Sequence, residues 1–413
     1  MIAAIATGTS HLKNYSTSAD CAATLSCLEK LGVRIGRSDN DVTIHGVALN
    51  GLRAPDGDLD CGNSGTTMRL LSGILAGQNF VSTLTGDESL RSRPMQRIIE
   101  PLEIMGAEIT SVDGRAPLRI QGRHRLQAID YELLTASAQV KSCILLAGLH
   151  VEGTTTVIEN ETTRDHTELM LQWFGASIET GGPDRKPQAA RCAAINGPAQ
   201  LTGRDVSIPG DISSAAYFIA AAGLLADSSL EILDVGLNPT RVAFLEKLRE
   251  TGIEVDVINE HESSAEPRGR LSVRGKPIGR KADAPMLTVN GTAIPQLIDE
   301  LPLLAVVGSQ IPGGIEIRNA KELRVKESDR IASTAAGLRA MGCKVEEFED
   351  GLAINGPTKL KGARVDSCGD HRIAMSFTIA ALVAEGDTEI VGSDCVAISF
   401  PDFFELLDSI TQR

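Results

Sequence analysis

Leu338-Arg339-Ala340-Met341-Gly342-Cys343-Lys344-Val345, followed after a short acidic stretch by Leu352-Ala353-Ile354, holds the reading that decides the fold. A Gly closing an amphipathic segment supplies the left-handed residue at which a helix stops. Apolar residues at every second position then mark half-buried strands. The stretch reads helix, Gly stop, hairpin. The same pattern stands at Leu28–Gly32 with Val33–Ile35 and Val42–Ile44, and at Leu102–Gly106 with Ala107–Ile109 and Leu118–Ile120. It recurs at Leu171–Gly175 with Ala176–Ile178 and Ala194–Ile195, and at Leu248–Gly252 with Ile253–Val257 and Leu271–Val273.

A second helix type alternates with the first and is apolar nearly all round, as a helix covered on every side must be. Its copies are Thr66–Ala76, Ala138–Leu149, Ser214–Leu225, Ile294–Val307 and Arg372–Val383. Most lead into an extended segment such as Thr154–Ile158, Leu230–Ile232, Ile315–Ile317 or Thr388–Val391. One unit is thus strand, buried helix, strand, exposed helix and hairpin, recurring about every 70 to 90 residues. Six such units predict an α/β (α+β) fold of two three-unit domains, 1–204 and 205–413, with a hinge near Gly203–Asp205. The sixth copy is split between the chain ends. Met1–Thr7 with Gly8–Leu12 reads as the last half of a buried helix and its turn, and Pro401–Ile410 as an exposed helix without its hairpin. The expectation is a natural chain that starts some tens of residues earlier.

Composition removes several functional classes. The 54 Asp and Glu outnumber the 40 Lys and Arg, a formal charge of −14 with no basic stripe, whereas nucleic-acid binding draws on such stripes. With 42% hydrophobic and 23% charged residues the chain can build large cores. Aromatics are only 3%, so those cores must be aliphatic. No apolar run is long enough for a membrane helix, and the N-terminus as it stands lacks the basic n-region and cleavage pattern of a signal peptide, so a cytoplasmic protein is expected. The eight cysteines are scattered without metal spacing and read as buried thiols.

The entries to the buried helices are rich in Gly, Ser and charge, and a helix N-terminus attracts anions. Gly62-Asn63-Ser64-Gly65-Thr66-Thr67-Met68-Arg69 reads either as an anion cradle or as a packing device. Ser137-Ala138-Gln139 reads as a ligand contact or as a simple cap. Arg91-Ser92-Arg93-Pro94 and Thr163-Arg164-Asp165-His166 precede exposed helices. Arg324-Val325-Lys326-Glu327-Ser328-Asp329-Arg330 carries both signs, with Lys326 and Arg330 on one face if helical. Gly369-Asp370-His371-Arg372 opens a buried helix. Each alone is matched by a salt-bridged helix start; their recurrence at equivalent places favours a site. Asp299 and Glu300 interrupt an apolar run, and a carboxylate there must be paired or do chemistry. Asp299 is read as an acid or base beside Lys326 and Glu327, or else as a helix-capping carboxylate held by a nearby Arg.

With these residues in view, the chain resembles the 5-enolpyruvylshikimate-3-phosphate (EPSP) synthase family over essentially its whole length. Gly62–Arg69 is similar to the family's G-N-x-G-T-x-x-R, Arg324–Arg330 to R-V-K-E-[ST]-D-R, and Asp370–Met375 to D-H-R-[IM]-A-M. The resemblance implies two domains of three βαβαββ units around buried helices, an inside-out α/β barrel. It also implies enolpyruvyl transfer from phosphoenolpyruvate to the 5-hydroxyl of shikimate 3-phosphate, with release of phosphate and no metal or organic cofactor. The implied partners are those small molecules alone, with no nucleic acid or membrane, for a monomer.

By position, the resemblance implies shikimate 3-phosphate contacts from Ser137, Ala138, Gln139, Arg164, Asp299 and Lys326. It implies phosphoenolpyruvate contacts from Gly65, Arg69, Arg93, Gln139, Arg330 and Arg372, supported by Asn63 and His371. Asp299 would take the hydroxyl proton, with Lys326 and Glu327 serving the methylene carbon. Gly65 would leave room for glyphosate, while Leu70 and Ile398 stand where some members have Pro and Lys. The family's K-S-x-x-x-R segment would precede Met1, so the alternative reading is a non-catalytic or partner-dependent fragment. The related UDP-N-acetylglucosamine enolpyruvyl transferases carry a Cys in the loop aligned with Gly86–Pro94, where this chain has Glu88 and no Cys.

Overall fold

A computed structural model of the chain describes residues 1–122, 126–181, 191–276 and 278–411. It divides into two compact units, Met1–Ile208 with Ser263–Glu266, and Pro209–Glu262 with Pro267–Arg413.

The five Gly stops are realised alike. Gly32, Gly106, Gly175, Gly252 and Gly342 all have φ between +88° and +101°. In each, the amide after the Gly donates to the carbonyl of the Leu five residues back, as Cys343 does to Leu338 at 2.9 Å. The Gly amide itself donates three residues back, as Gly342 does to Arg339 at 3.0 Å. These two bonds satisfy carbonyls that a helix end leaves open. The exposed helices they close are Ala19–Lys30, Gln96–Ile104, His166–Trp173, Ala243–Thr251 and Arg330–Ala340.

In the first unit, Leu59–Asp60 runs parallel to Val81–Thr85, and the crossover between them is the buried helix Gly65–Ala76. Val81–Thr85 then pairs antiparallel with Arg115–Gln121, which pairs with Glu108–Val112. Asp130–Glu132, helix Ala138–Gly148, Gly153–Glu159 and the hairpin Ile178–Gly181 with Arg191–Gly197 repeat this plan. A third sheet has Thr7–Lys13 antiparallel to Asp41–Val47, which pairs with Arg34–Ser38; its parallel strand is Val206–Ser207. Gly8–Leu12 is therefore strand rather than the expected turn, and the residues Ile2–Ile5 before it form a 3-10 helix. Pairing of Leu12 with Val42 and of Ser10 with Ile44 accounts for the extended form. Helices Gly65–Ala76 and Ala138–Gly148 pack on each other. At their crossing Gly73 lies so close to the carbonyl of Cys143 that no side chain would fit.

In the second unit, Leu287–Val289, Ile315–Ile317 and the hairpin Val345–Phe348 with Gly351–Ile354 make one sheet. Ser229–Gly236 joins the hairpin Val255–Ser263 with Glu266–Arg274, and Arg364–Asp366 runs parallel to Glu389–Val391. Helices Ile212–Leu224, Leu301–Gly308 and His371–Leu382 pack pairwise at the centre. The expected helix Ile294–Val307 is broken into Ile294–Leu297 and Leu301–Gly308, with Ile298–Glu300 in a turn. Pro302 has no amide to donate back to Ile298, so the ladder stops there.

Of the cysteines, Cys27, Cys61, Cys143 and Cys343 are buried, while Cys21, Cys192 and Cys395 are partly covered and Cys368 is exposed, so burial holds for half of them. Among the described residues, no helix is long and apolar enough to cross a membrane.

Candidate active site

The predicted residues gather in two groups, one within each unit. In the first unit Ser64 caps helix Gly65–Ala76 by accepting from the Thr67 amide. That places Gly65 on the first turn, beside two buried guanidiniums. A Cβ built on Gly65 would lie 3.0 Å from Arg69 Nη1 and 3.5 Å from Arg93 Nη1. Arg69 donates to Gln139 Oε1 at 2.6 Å, and Gln139 Nε2 donates to Thr66 Oγ1 at 2.8 Å. Arg93 donates to Asn63 Oδ1 at 2.5 Å and to Ser89 Oγ at 3.2 Å, and Asn63 in turn donates to Asp87 at 2.7 Å. Two helix entries and the segment before the exposed helix thus share one polar network.

Ser137 caps helix Ala138–Gly148, accepting from Val140 N at 3.4 Å. Arg164 precedes helix His166–Trp173 on a segment that is tied to the same helix 138–148. One of the ties is Ser142 Oγ to Thr167 Oγ1 at 2.6 Å.

In the second unit, Arg330 is the centre. Its side chain is 1% exposed and its nitrogens serve three carboxylates. Nε donates to Asp370 Oδ2 at 2.8 Å, Nη2 to Glu327 Oε2 at 2.7 Å, and Nη1 to Asp299 Oδ1 at 3.3 Å. Burial opposes the guanidinium charge, but Asp370, Glu327 and Asp299 outweigh it and hold Arg330 firmly protonated. Asp370, wholly buried, also caps the next helix through Arg372 N at 2.8 Å and accepts from Ser328 Oγ at 3.1 Å. Asp299 is therefore held by an Arg that also binds Glu327, and no side chain caps the helix Leu301–Gly308 that follows it.

Lys326 does not share a helix face with Arg330, as the spacing suggested. Asp329 caps helix Arg330–Ala340 by accepting from Ala332 N, and Lys326 lies upstream of it with φ −80° and ψ −154°. Burial pushes its ammonium pKa below the ordinary value, against the raising pull of Asp299, and Arg330 reinforces the shift. Arg324 of the same motif is a structural residue, paired with Asp329 at 2.7 Å and Glu347 at 3.2 Å.

Arg372 is held protonated, with the cost of burial outweighed by Tyr217, Asp299, Glu300 and Asp211. Of these partners Tyr217 and Asp211 escaped the sequence reading, whereas Glu300 was marked there as a charge interrupting an apolar run. Glu300, buried beside Asp299, accepts from Arg241 at 3.2 Å and from the Ser213 hydroxyl. Asp211 caps helix Ile212–Leu224 through Ser213 N at 3.2 Å and Ser214 N at 3.0 Å. Burial pushes the Asp211 carboxyl up, but Arg372 and Arg241 prevail and hold it below its usual range. Asp211 stands at the mouth of a buried helix, the place where the other motifs were found, and that position was its signal.

His371 is buried, and its Nδ1 has no partner among the described residues. Burial, reinforced by Arg372, lowers its pKa to about 4. Below pH 6.5 the unfolded chain therefore takes up a proton that the folded state refuses, until about pH 4. Relative to His371→Gln, the parent is expected to lose roughly 3 kcal/mol of unfolding free energy across that window. Urea titrations at stepped pH read this, and parallel profiles for parent and variant would remove the assignment.

Among the described residues no group of three or more His, Cys, Asp or Glu could hold a metal ion. The side chains at hand are forked cations for carboxylate and phosphate, carboxylates, and an ammonium of lowered pKa.

Comparison with known proteins gives first the fold. The enolpyruvyl transferase NikO of Streptomyces tendae aligns with a TM-score of 0.76 over 99% of this chain and 90% of its own, at 21% identity, a likeness of fold alone. The family follows from closer matches. The model of EPSP synthase (3-phosphoshikimate 1-carboxyvinyltransferase) matches residues 1–407. The 3-phosphoshikimate 1-carboxyvinyltransferase of Koribacter versatilis is 49% identical over 100% of this chain and 93% of its own length. The structure of EPSP synthase from Acinetobacter baumannii aligns with a TM-score of 0.85 and 42% identity, over 99% of this chain and 92% of that one. The chain belongs to the EPSP synthase family.

Proposed function

We propose that this chain catalyses transfer of the enolpyruvyl group of phosphoenolpyruvate to the 5-hydroxyl of shikimate 3-phosphate, releasing inorganic phosphate. The observation that carries the reading is the cluster of Asp299, Glu327 and Asp370 around the buried Arg330, with Lys326, of lowered pKa, beside them.

The 5-hydroxyl oxygen bonds to C2 of phosphoenolpyruvate as C3 gains a proton, giving a tetrahedral adduct. The C2–O bond to phosphate then breaks while C3 loses a proton, restoring the double bond. Asp299 accepts the hydroxyl proton, and Lys326 with Glu327 donates to and removes from C3. A lowered ammonium pKa eases release of the Lys326 proton in this exchange. Arg69, Arg93, Arg330 and Arg372 hold the carboxylate and phosphate of phosphoenolpyruvate, with Gln139 bridging. Ser137, Ala138, Gln139 and Arg164 hold shikimate 3-phosphate. Asn63 fixes the Arg93 fork, and His371 packs neutral beside Arg372. Arg330 reaches a substrate carboxylate by exchanging it for Asp299 or Glu327, since Asp370 grips the guanidinium from the buried side.

Phosphate release from the two substrates, with the enolpyruvyl ether identified by proton NMR, tests the reaction. Absence of the ether while phosphate is released would reduce the chain to a phosphatase. Gly65→Ala tests the phosphoenolpyruvate subsite. Its methyl must displace the Arg69 terminus by a few tenths of an ångström, so the KM for phosphoenolpyruvate should rise several-fold, and glyphosate inhibition should weaken with it. An unchanged KM removes Gly65 from the subsite.

A further inference from the structure

Helix Ala138–Gly148 carries one charge, and the reaction does not use it. Lys141 is 1% exposed, with Nζ 3.0 Å from Glu159 Oε2 and 2.6 Å from Glu168 Oε1. The two glutamates come from different elements. Glu159 ends strand Gly153–Glu159, and Glu168 sits in the first turn of helix His166–Trp173. Between them runs the segment that carries Arg164. Glu159 Oε1 turns the chain there, accepting from Thr163 N at 3.1 Å and from the Thr163 hydroxyl. One turn along helix 138–148 from Ser137, Lys141 donates its own amide to the Ser137 carbonyl at 3.1 Å.

We propose that Lys141 is a positioning residue for shikimate 3-phosphate, its buried ammonium pinning both ends of the Arg164 segment to the helix whose first turn carries Ser137 and Gln139. The inference rests on the assignment of Ser137 and Arg164 to that substrate. Its physical basis is the cost of an unpaired buried charge. Any displacement of the segment that strands Glu159 or Glu168 in the interior is strongly disfavoured, so the segment has one position. Burial pushes the Glu168 carboxyl upward and Lys141 opposes this, which makes the ammonium the element on which the triad depends. The single Trp of the chain, Trp173, closes helix His166–Trp173, and Arg204 stacks over it at 6.0 Å, so the far end of that helix is anchored separately.

The experiment uses calorimetric titration with shikimate 3-phosphate alone, together with steady-state kinetics, on Lys141→Met, on Lys141→Met/Glu168→Gln, and on Arg164→Ala. Lys141→Met should weaken binding about tenfold or more, raising the KM for shikimate 3-phosphate while kcat at saturation stays within about threefold. Because the single variant leaves two carboxylates against no cation, it is expected to be less stable. The double variant removes one of them and should recover thermal stability without recovering affinity. If affinity returns together with stability, or never fell, Lys141 has a folding role only and the proposal is overturned. Failure of the underlying assignment is read separately. If Arg164→Ala binds as the parent does, that segment is not a substrate contact and the positioning role falls with it.

Discussion

Asp299→Asn is expected to lower kcat by about 10²–10⁴-fold, the range for a removed general base, while the affinity for shikimate 3-phosphate stays within about threefold. The substitution keeps the shape of the side chain and an oxygen for Arg330 Nη1, now 3.3 Å away, so the cluster keeps its geometry. It removes the proton acceptor and one negative charge. Lys326, Arg330 and Arg372 then face one carboxylate fewer, which cannot weaken the binding of anions. Exposure singles out Asp299 as the working group of the adjacent pair. Its side chain is 16% exposed, against 3% for Glu300, which is closed off by Arg241 and Ser213. Rapid-quench measurement of the first turnover, with binding followed by calorimetry, separates the two quantities. Turnover within tenfold of the parent would sink the assignment.

Arg330→Met should be the most destabilising single change in the second unit, at about 3–5 kcal/mol, because it leaves Asp370 as an uncompensated buried charge. Asp370 is 0% exposed. Turnover should be lost as well. The two losses are separable by adding Asp370→Asn. Asn is a good helix cap, so it can go on accepting from Arg372 N while no longer needing a cation. Arg330→Met/Asp370→Asn should therefore regain a large part of the unfolding free energy and none of the activity. A single variant that loses less than about 1 kcal/mol in urea unfolding, or a double variant no more stable than the single, would show that the pair does not hold the second unit together in this way.

The repeat was legible because its signals are local. A Gly stop acts within one helical turn, and strand alternation within five residues, so all five exposed helices and their hairpins could be read from adjacent letters. The break at Ile298–Glu300 was not foreseen, since the apolar run masked the effect of Pro302 on the ladder. Lys326 was read through a helical spacing that Asp329, by capping later, does not permit. In the site, Asp299 was found by asking why a charge interrupts an apolar helix. Lys141 interrupts helix 138–148 in the same way and was passed over, because its partners Glu159 and Glu168 lie 18 and 27 residues on and no spacing rule links them. Arg241 was hidden for the same reason, its significance coming from Glu300 brought near by the fold, whereas Asp211 stood at a helix mouth and was passed over there.

The crossing of helices Gly65–Ala76 and Ala138–Gly148 bears on how a substrate gap is toleranced. Gly73 and Cys143 each lie four residues, about 5–6 Å of helix, beyond Arg69 and Gln139 respectively. The backbone-to-backbone touch is thus one turn below the hydrogen bond that spans the two ligand-bearing turns. A side-chain spacer would vary with its rotamer, and a peptide against a carbonyl has none to vary. The spacing of the guanidinium and the amide is then set like the jaw of a fixed gauge, by a residue that offers no functional group and that a search for chemistry would pass over.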